Sequence, residues 1–284
     1  MHFRHIEQLC CPLDQSALVV SGKQLCCASG HSFDIARQGY VNLLGAQDKR
    51  SRDPGDSKAM VAARRDFLNQ GHYLPIAEHL AEIVVPLLGN SAVIADAGCG
   101  EGYYLQQLRE HLDPSTAAAT KMIGFDISKW AVQAATRRLE ATWLVASNRN
   151  IPLAPNSVDC LLSLFGFPVF EAFSTALKPG GTALFASAGP QHLIELREVL
   201  YPSVRHSDSA LAKQAVDAGF LEGESSTLAF TTAPLSQPEI HQLLTMTPHL
   251  FRASHEGKAR AAQLQNVAVT VEVRFQQFHK PAQP

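Results

Sequence analysis

Charge is scarce and evenly split in this chain. Its 284 residues include 24 Lys or Arg and 26 Asp or Glu, for a formal net charge of −2. That balance excludes a general attraction to nucleic acid or to an anionic surface, so any affinity for phosphates has to sit in a local patch. Long apolar runs are missing too. None approaches the roughly 20 residues of a membrane span, and the first residues carry no signal-peptide-like hydrophobic stretch. Cysteine is limited to six, and four of them form two adjacent pairs, Cys10-Cys11 and Cys26-Cys27, which do not suggest a disulfide framework in a chain of this length. No internal repeat or low-complexity tract is present. What remains is the composition of a globular cytoplasmic protein, with room for one large α/β domain and a small appendage.

The most informative segment is Val93-Ile94-Ala95-Asp96-Ala97-Gly98-Cys99-Gly100-Glu101-Gly102. An apolar run breaking into alternating glycines reads as a buried strand turning sharply into a helix. Gly98, Gly100 and Gly102 remove side chains that would keep a ligand off the backbone, and the helix start offers free N–H groups. A dinucleotide fingerprint would need a third glycine where Tyr103 stands. The pattern is D-x-G-x-G-x-G instead, with carboxylates at Asp96 and Glu101. Two carboxylates repel a pyrophosphate but suit the cationic, amino-acid-bearing S-adenosylmethionine. Lys121–Asp126 reads as a second strand ending in an acid that accepts from ribose hydroxyls. Its distance from the glycines exceeds the usual ~20 residues, and Pro114–Thr120 is expected to loop out and absorb the difference. With Lys178-Pro179-Gly180-Gly181 before a further strand, this is a class I methyltransferase pattern.

A small module precedes it. Cys10-Cys11-Pro12-Leu13-Asp14 and Cys26-Cys27-Ala28-Ser29-Gly30-His31 form two knuckle-like turns around a short apolar segment. A segment of about 30 residues is too small to bury a useful core unaided, and thiolates with imidazole suit zinc. The expected ligands are Cys11, Asp14, Cys27 and His31, with Cys10 or Cys26 as substitutes. Asp14 stands where a zinc knuckle normally has cysteine; the alternative is a metal-free ribbon.

Downstream, Lys49, Arg50 and Arg52 form a cationic cluster ahead of the Pro54-Gly55 turn. Such a run is either a solvated loop or a phosphate-gripping lid. A helix is predicted over Ser57–Leu68 with Ser57 as N-cap, and Arg64 and Arg65 extend the positive face.

Taken together, these residues resemble the bacterial large-subunit ribosomal RNA guanine-N1 methyltransferases of the RlmA (RrmA) type. The resemblance spans nearly the whole chain. Its most specific parts are Lys49-Arg50-Ser51-Arg52-Asp53-Pro54-Gly55-Asp56-Ser57 and Gly71-His72-Tyr73; Gly189-Pro190-x-His192-Leu193 and Met246-Thr247-Pro248 add to them. It implies methylation of guanine N1 in hairpin 35 of 23S rRNA domain II (the guanine-745 class), zinc in the ribbon, and a homodimer. It also implies that Tyr73, Gly100, Glu101 and His192 contact S-adenosylmethionine. Ser147 and Asn148, after the third strand, offer uncharged groups where an acid often holds adenine in this superfamily.

This chain departs from the family at Leu164-Phe165-Gly166-Phe167-Pro168, where the family carries Ala-Pro near the target base. Phe165 or Phe167 is a candidate platform for a flipped guanine, or else a core residue. Asp53 and Asp56 are candidates for taking the N1 proton, and no catalytic base is assigned.

The expected architecture is a zinc-ribbon-like RNA-recognition module at 1–35, a basic linker and helix at 36–75, and a Rossmann-like α/β methyltransferase domain at 76–284. Strands are expected near Ala92–Ala97, Met122–Asp126, Trp143–Ser147, Val158–Phe165 and Thr182–Ala188, with Asn266–Phe278 as an antiparallel edge strand. Two other function classes compete: a small-molecule methyltransferase and a non-catalytic RNA-binding relative.

Overall fold

Alternating apolar segments and turn residues build one eight-stranded sheet and one three-stranded ribbon. The computed structural model describes residues 3–45, 53–203 and 210–282. The ribbon is an antiparallel meander of β1 (Val19–Ser21), β2 (Gln24–Cys26) and β3 (Ser32–Asp34). The chain then contributes β4 (Tyr40–Asn42), which pairs parallel with β7 and so belongs to the large sheet.

Two helices follow. Helix α1 (Lys58–Asn69) starts where Ser57 accepts from the Met60 amide, which satisfies one of the helix's orphan donors. Helix α2 (Leu74–Val84) carries proline in its first turn. The central unit then runs β5 (Val93–Ala97), α3 (Tyr103–Glu110), α4 (Pro114–Ala119), β6 (Lys121–Asp126), α5 (Lys129–Ala135), β7 (Thr142–Val145), β8 (Val158–Leu164), α6 (Phe170–Ala176) and β9 (Leu177–Ala188). Helices α7 (Ile194–Leu200) and α8 (Leu211–Asp217) lead to β10 (Leu221–Thr231). Helices α9 (Gln237–Thr245), α10 (His249–Arg252) and α11 (His255–Ala261) precede β11 (Thr270–His279).

Strand order is β10-β11-β9-β8-β5-β6-β7-β4, parallel from β4 to β9 and antiparallel at β11 and β10. The order reverses between β5 and β8, the switch point at whose carboxyl edge open α/β sheets hold ligands. Period-two alternation divides the core. On β5, Ile94 joins one apolar cluster with Phe67, Leu80 and Leu105, while Val93, Ala95 and Ala97 join the other. That second cluster contains Leu9, Leu18 and Leu25 of the ribbon together with Phe170 and Phe173 of α6. The ribbon therefore shares its core with the sheet.

Two expectations are corrected. Pro114–Thr120 is not a loop. Asp113 accepts from the Ser115 and Thr116 amides, and proline follows at the first helical position, so α4 forms. The tail strand is antiparallel but lies inside the sheet, between β9 and β10, and β10 is the edge. Its alternating polarity suits either position, because one of its faces is covered in both. Among the described residues, no helix is long and apolar enough to cross a membrane.

Candidate functional site

The glycine loop between β5 and α3 is possible only because three residues take left-handed backbone: Gly98 at φ +87°, Gly100 at +54° and Gly102 at +84°. It is tied to the neighbouring strand. The amides of Gly98 and Cys99 donate to the Phe125 carbonyl, and the Gly100 amide donates to Asp126 Oδ2 at 3.0 Å. Asp126 Oδ1 accepts from the Ser128 amide at 2.7 Å. Each carboxylate oxygen keeps a second lone pair for a ribose hydroxyl.

Above this loop lies a cavity of about 750 Å³. Gly98, Gly100, Asp126, Ser147 and Asn148 line it, as do Phe165 and Phe167. Sequence reasoning proposed all of them, and the structure brings them to one place. Asp96, two residues before Gly98, is buried with Oδ1 lacking any partner. Burial, reinforced by Asp126, pushes its carboxyl up to about 8.

Arg64 sits elsewhere than on an outward basic face. It lines the cavity, donating to Asp56 Oδ2 at 2.5 Å and to the Met246 carbonyl at 3.0 Å, and its buried Nε has no partner. Arg65 does face outward and pairs with Asp66. Lys49, Arg50 and Arg52 lie outside the described residues.

Glu101 is buried beside the glycine loop and is not among the residues that line the cavity, and its Oε1 has no partner. Its carboxylate accepts from Arg138 Nε at 2.6 Å, and Arg138 also donates to Asn69 and Gln106, locking the glycine loop to α1 and α3. Burial raises the Glu101 carboxyl while Arg138 opposes the rise.

Tyr73 and His192 stand together behind the cavity wall, their Oη and Nε2 3.4 Å apart. His192 Nδ1 accepts from the Glu272 amide, which places the proton on Nε2. Burial drops His192 to about 4, so it stays neutral at physiological pH. The rings of His192 and Tyr104 flank Phe165, with centroids 6.2 and 6.4 Å from it. Phe165 itself takes φ +57°, a costly conformation for a bulky residue, and Phe167 is 86% exposed. The Asn148 side-chain amide donates to the Phe167 carbonyl, joining the two cavity walls.

These residues fit S-adenosylmethionine. An unpartnered carboxylate oxygen at Asp96 suits an ammonium, an unpartnered guanidinium nitrogen at Arg64 suits a carboxylate, and Asp126 suits a ribose. An ammonium held by Asp96 would require that carboxyl to be ionised. Calorimetry near pH 7 in buffers of different ionisation heat is expected to show proton release on binding, and none for Asp96→Asn. The ligand-free protein should also lose stability as pH rises from the unfolded value of 3.8 toward about 8, because the folded carboxyl keeps a proton that the unfolded one gives up. A flat profile in both measurements would remove Asp96 from this role.

The second site is in the ribbon. Cys11, Asp14, Cys27 and His31 place one donor atom each within 4.8 Å of all the others. Cys11 Sγ lies 3.5 Å and Cys27 Sγ 3.3 Å from His31 Nδ1, and Asp14 Oδ2 lies 3.5 Å from Cys27 Sγ and 3.3 Å from His31 Nδ1. Zinc bonds of about 2.0–2.3 Å at tetrahedral angles put ligand atoms about 3.3–3.8 Å apart, the range in which these four distances fall, so the four residues could hold zinc. Asp14 is aimed by Ser16, whose hydroxyl and amide both donate to Oδ1 and leave Oδ2 for the metal. Those bonds hold its carboxyl below the ordinary range. Cys10 and Cys26 are not part of the cluster.

Sequence reasoning missed Asp56 and Arg138 as supports. Only their spatial neighbours, Arg64 and Glu101, reveal what they do.

A ligand cavity at the switch point of this sheet, beside a D-x-G-x-G-x-G turn, defines an S-adenosylmethionine-dependent class I methyltransferase. The methyltransferase-domain family matches residues 94–181, and the zinc-ribbon family described as RlmA, N-terminal matches residues 9–52. The chain is 32% identical over 278 residues to the 23S rRNA (guanine(748)-N(1))-methyltransferase of Streptomyces fradiae, covering 95% of this chain and 96% of that one. A putative 23S rRNA (guanine-N(1)-)-methyltransferase of Bacillus subtilis (strain 168) is 32% identical over 272 residues, covering 93% and 94%. Another, from Micromonospora griseorubida, is 28% identical over 305 residues, covering 98% and 99%. The chain belongs to the 23S rRNA (guanine-N1)-methyltransferase family.

Proposed function

We propose that the protein transfers a methyl group from S-adenosylmethionine to N1 of a guanine in hairpin 35 of 23S rRNA domain II, in the guanine-745 class. The observation that carries this reading is the joining of a zinc-type ribbon to a cofactor cavity in one shared core. Nearly full-length relatives named for this reaction support it. The cofactor supplies a methyl group activated by its sulfonium charge. The protein's part is to align acceptor and methyl carbon for in-line displacement, in which the N1–carbon bond forms as the carbon–sulfur bond breaks. The N1 proton leaves to solvent or to a nearby base. Asp126 and Arg64, which line the cavity, and the buried Asp96 hold the cofactor end, and Phe165 and Phe167 provide an apolar platform for the unstacked base. The reaction takes place in the cytoplasm, and the family resemblance implies a homodimer; sedimentation of the purified protein tests that assembly.

Primer extension across 23S rRNA tests the reaction, because N1-methylguanine blocks base pairing and stops reverse transcriptase. Cells lacking the protein should lose one stop in hairpin 35. Wild-type protein should restore it and Gly100→Arg should not. An unchanged stop pattern would overturn the assignment and favour a small-molecule acceptor.

A further inference from the structure

A second concave surface adjoins the cofactor cavity without being part of it. It is a groove of about 310 Å³ between α1 and α5, floored by Val61, Ala62 and the half-buried Trp130 and rimmed by Lys58, Arg65 and Arg137. Lys58 Nζ and Lys129 Nζ lie 6.0 and 5.9 Å from the centre of the Trp130 ring. Two ammonium groups thus share one indole. Among the described residues, neither they nor Arg137 forms an ion pair, whereas Arg65 is paired with Asp66. Exposed ammonium groups beside an aromatic ring are free to take up phosphates while the ring stacks on a base. In a chain with net charge −2, three cations around one groove without an ion-pair partner among the described residues are a local departure.

The groove is also in the right place. Gly55 packs so closely on Ile127 and Ser128 that a Cβ there would come within 2.8 Å of Ile127, and the Ser128 hydroxyl donates to the Asp56 carbonyl at 2.6 Å. Gly55, Asp56 and Ile127 line the cofactor cavity on one side of this seam. Lys58 and Trp130 open the groove on the other. The groove starts near the carboxyl edge of the sheet, where α5 begins directly after β6, and runs along α5 as far as Arg137.

We propose that this groove is a single-stranded RNA subsite, in which Trp130 stacks on an unpaired base flanking the target while Lys58, Lys129 and Arg137 hold the adjoining phosphates. The proposal rests on the reading of the protein as an RNA methyltransferase. Stacking on an aromatic platform tolerates any base, and phosphate contacts fix the strand's path without reading sequence. The groove therefore sets where the strand runs, and the cavity selects the base.

The test uses the full-length protein, a hairpin-35 transcript and a blunt RNA duplex as probes, with methylation kinetics and fluorescence anisotropy as readouts. Trp130→Ala is expected to raise KM and Kd for the hairpin about tenfold, with kcat and cofactor affinity unchanged. Trp130→Phe should recover most of the loss, and duplex binding should not respond to either change. Lys58→Gln combined with Lys129→Gln, both on the surface, should flatten the salt dependence of hairpin binding by about 1.4 units of slope. Unchanged hairpin affinity in Trp130→Ala with intact cofactor binding would overturn the subsite. Equal weakening on the duplex would overturn the stacking role. If wild-type protein methylates no RNA, the functional reading fails by itself, while anisotropy still decides whether Trp130 holds the hairpin.

Discussion

Replacement of Cys27 by alanine is expected to strip the metal from the ribbon and abolish RNA methylation, and also to weaken cofactor binding at a site the residue never touches. The ribbon strands are three residues each, too short to persist by backbone pairing alone. Structural zinc contributes on the order of 10–16 kcal/mol in small ribbon-like peptides, so its loss dominates every other term in such a module. The link to the cofactor runs through hydrogen bonds. Pro12, between the candidate ligands Cys11 and Asp14, accepts through its carbonyl from the Asn150 side chain at 2.9 Å. The Asn150 amide donates to the Ser147 carbonyl, and Ser147 and Asn148 form the cavity wall. Antiparallel bonds from Cys10 to Pro152 and from Ala154 to Gln8 reinforce the seam. Metal analysis should read one zinc per wild-type chain and none in the variant, with cofactor Kd rising about tenfold, the equivalent of ~1.4 kcal/mol of lost preorganisation. Unchanged cofactor affinity in a metal-free variant would break the proposed link.

Trp143→Ala is expected to be the most destabilising single change in the α/β domain. This side chain is 1% exposed and fills the space that two glycines leave open. A Cβ on Gly124 would lie 2.1 Å from the indole, and one on Gly102 would lie 2.8 Å from its far edge. The indole N–H donates to the Leu139 carbonyl. Truncation to alanine should cost about 3–5 kcal/mol, a large share of the ~5–15 kcal/mol that holds a typical domain. Because the ring also supports Gly102 at the start of α3, the surviving folded protein should bind cofactor more weakly. Urea unfolding with and without S-adenosylmethionine separates the two effects. A midpoint shifted by less than 1 kcal/mol equivalent would show that the glycine contacts relax to fill the space. Trp143→Phe should fall between, since it keeps part of the volume but loses the donor.

The parts legible in the sequence were those governed by local chemistry. The glycine turn, the acids ending β5 and β6, the Ser57 cap and the four ribbon donors each declare themselves within a few residues. Asp113-Pro114 declared a helix start just as clearly, and α4 shows that capping chemistry outweighed the expectation of a loop. What was not legible depends on partners distant in the chain. Arg64 reads as one more basic residue on a helix face until Asp56 and the Met246 carbonyl turn it into the cavity. The Arg138 guanidinium that holds Glu101 Oε2 is likewise invisible in the sequence, 37 residues from its partner. The position of β11 depends on β10 taking the edge, a choice that alternation within either strand does not encode.

Strand β4 has a practical consequence for anyone who would divide the chain. It ends the sheet as a three-residue edge, short enough to offer little to a passing strand. Beneath it, β7 is buried along its whole length. A fragment trimmed to begin at residue 76 would uncover that apolar strand with its amides and carbonyls unpaired, and self-association through the open edge is the outcome to expect. The amino-terminal segment thus acts as the molecule's own guard against aggregation, and a soluble catalytic fragment has to retain both β4 and the ribbon whose side chains complete the sheet's core.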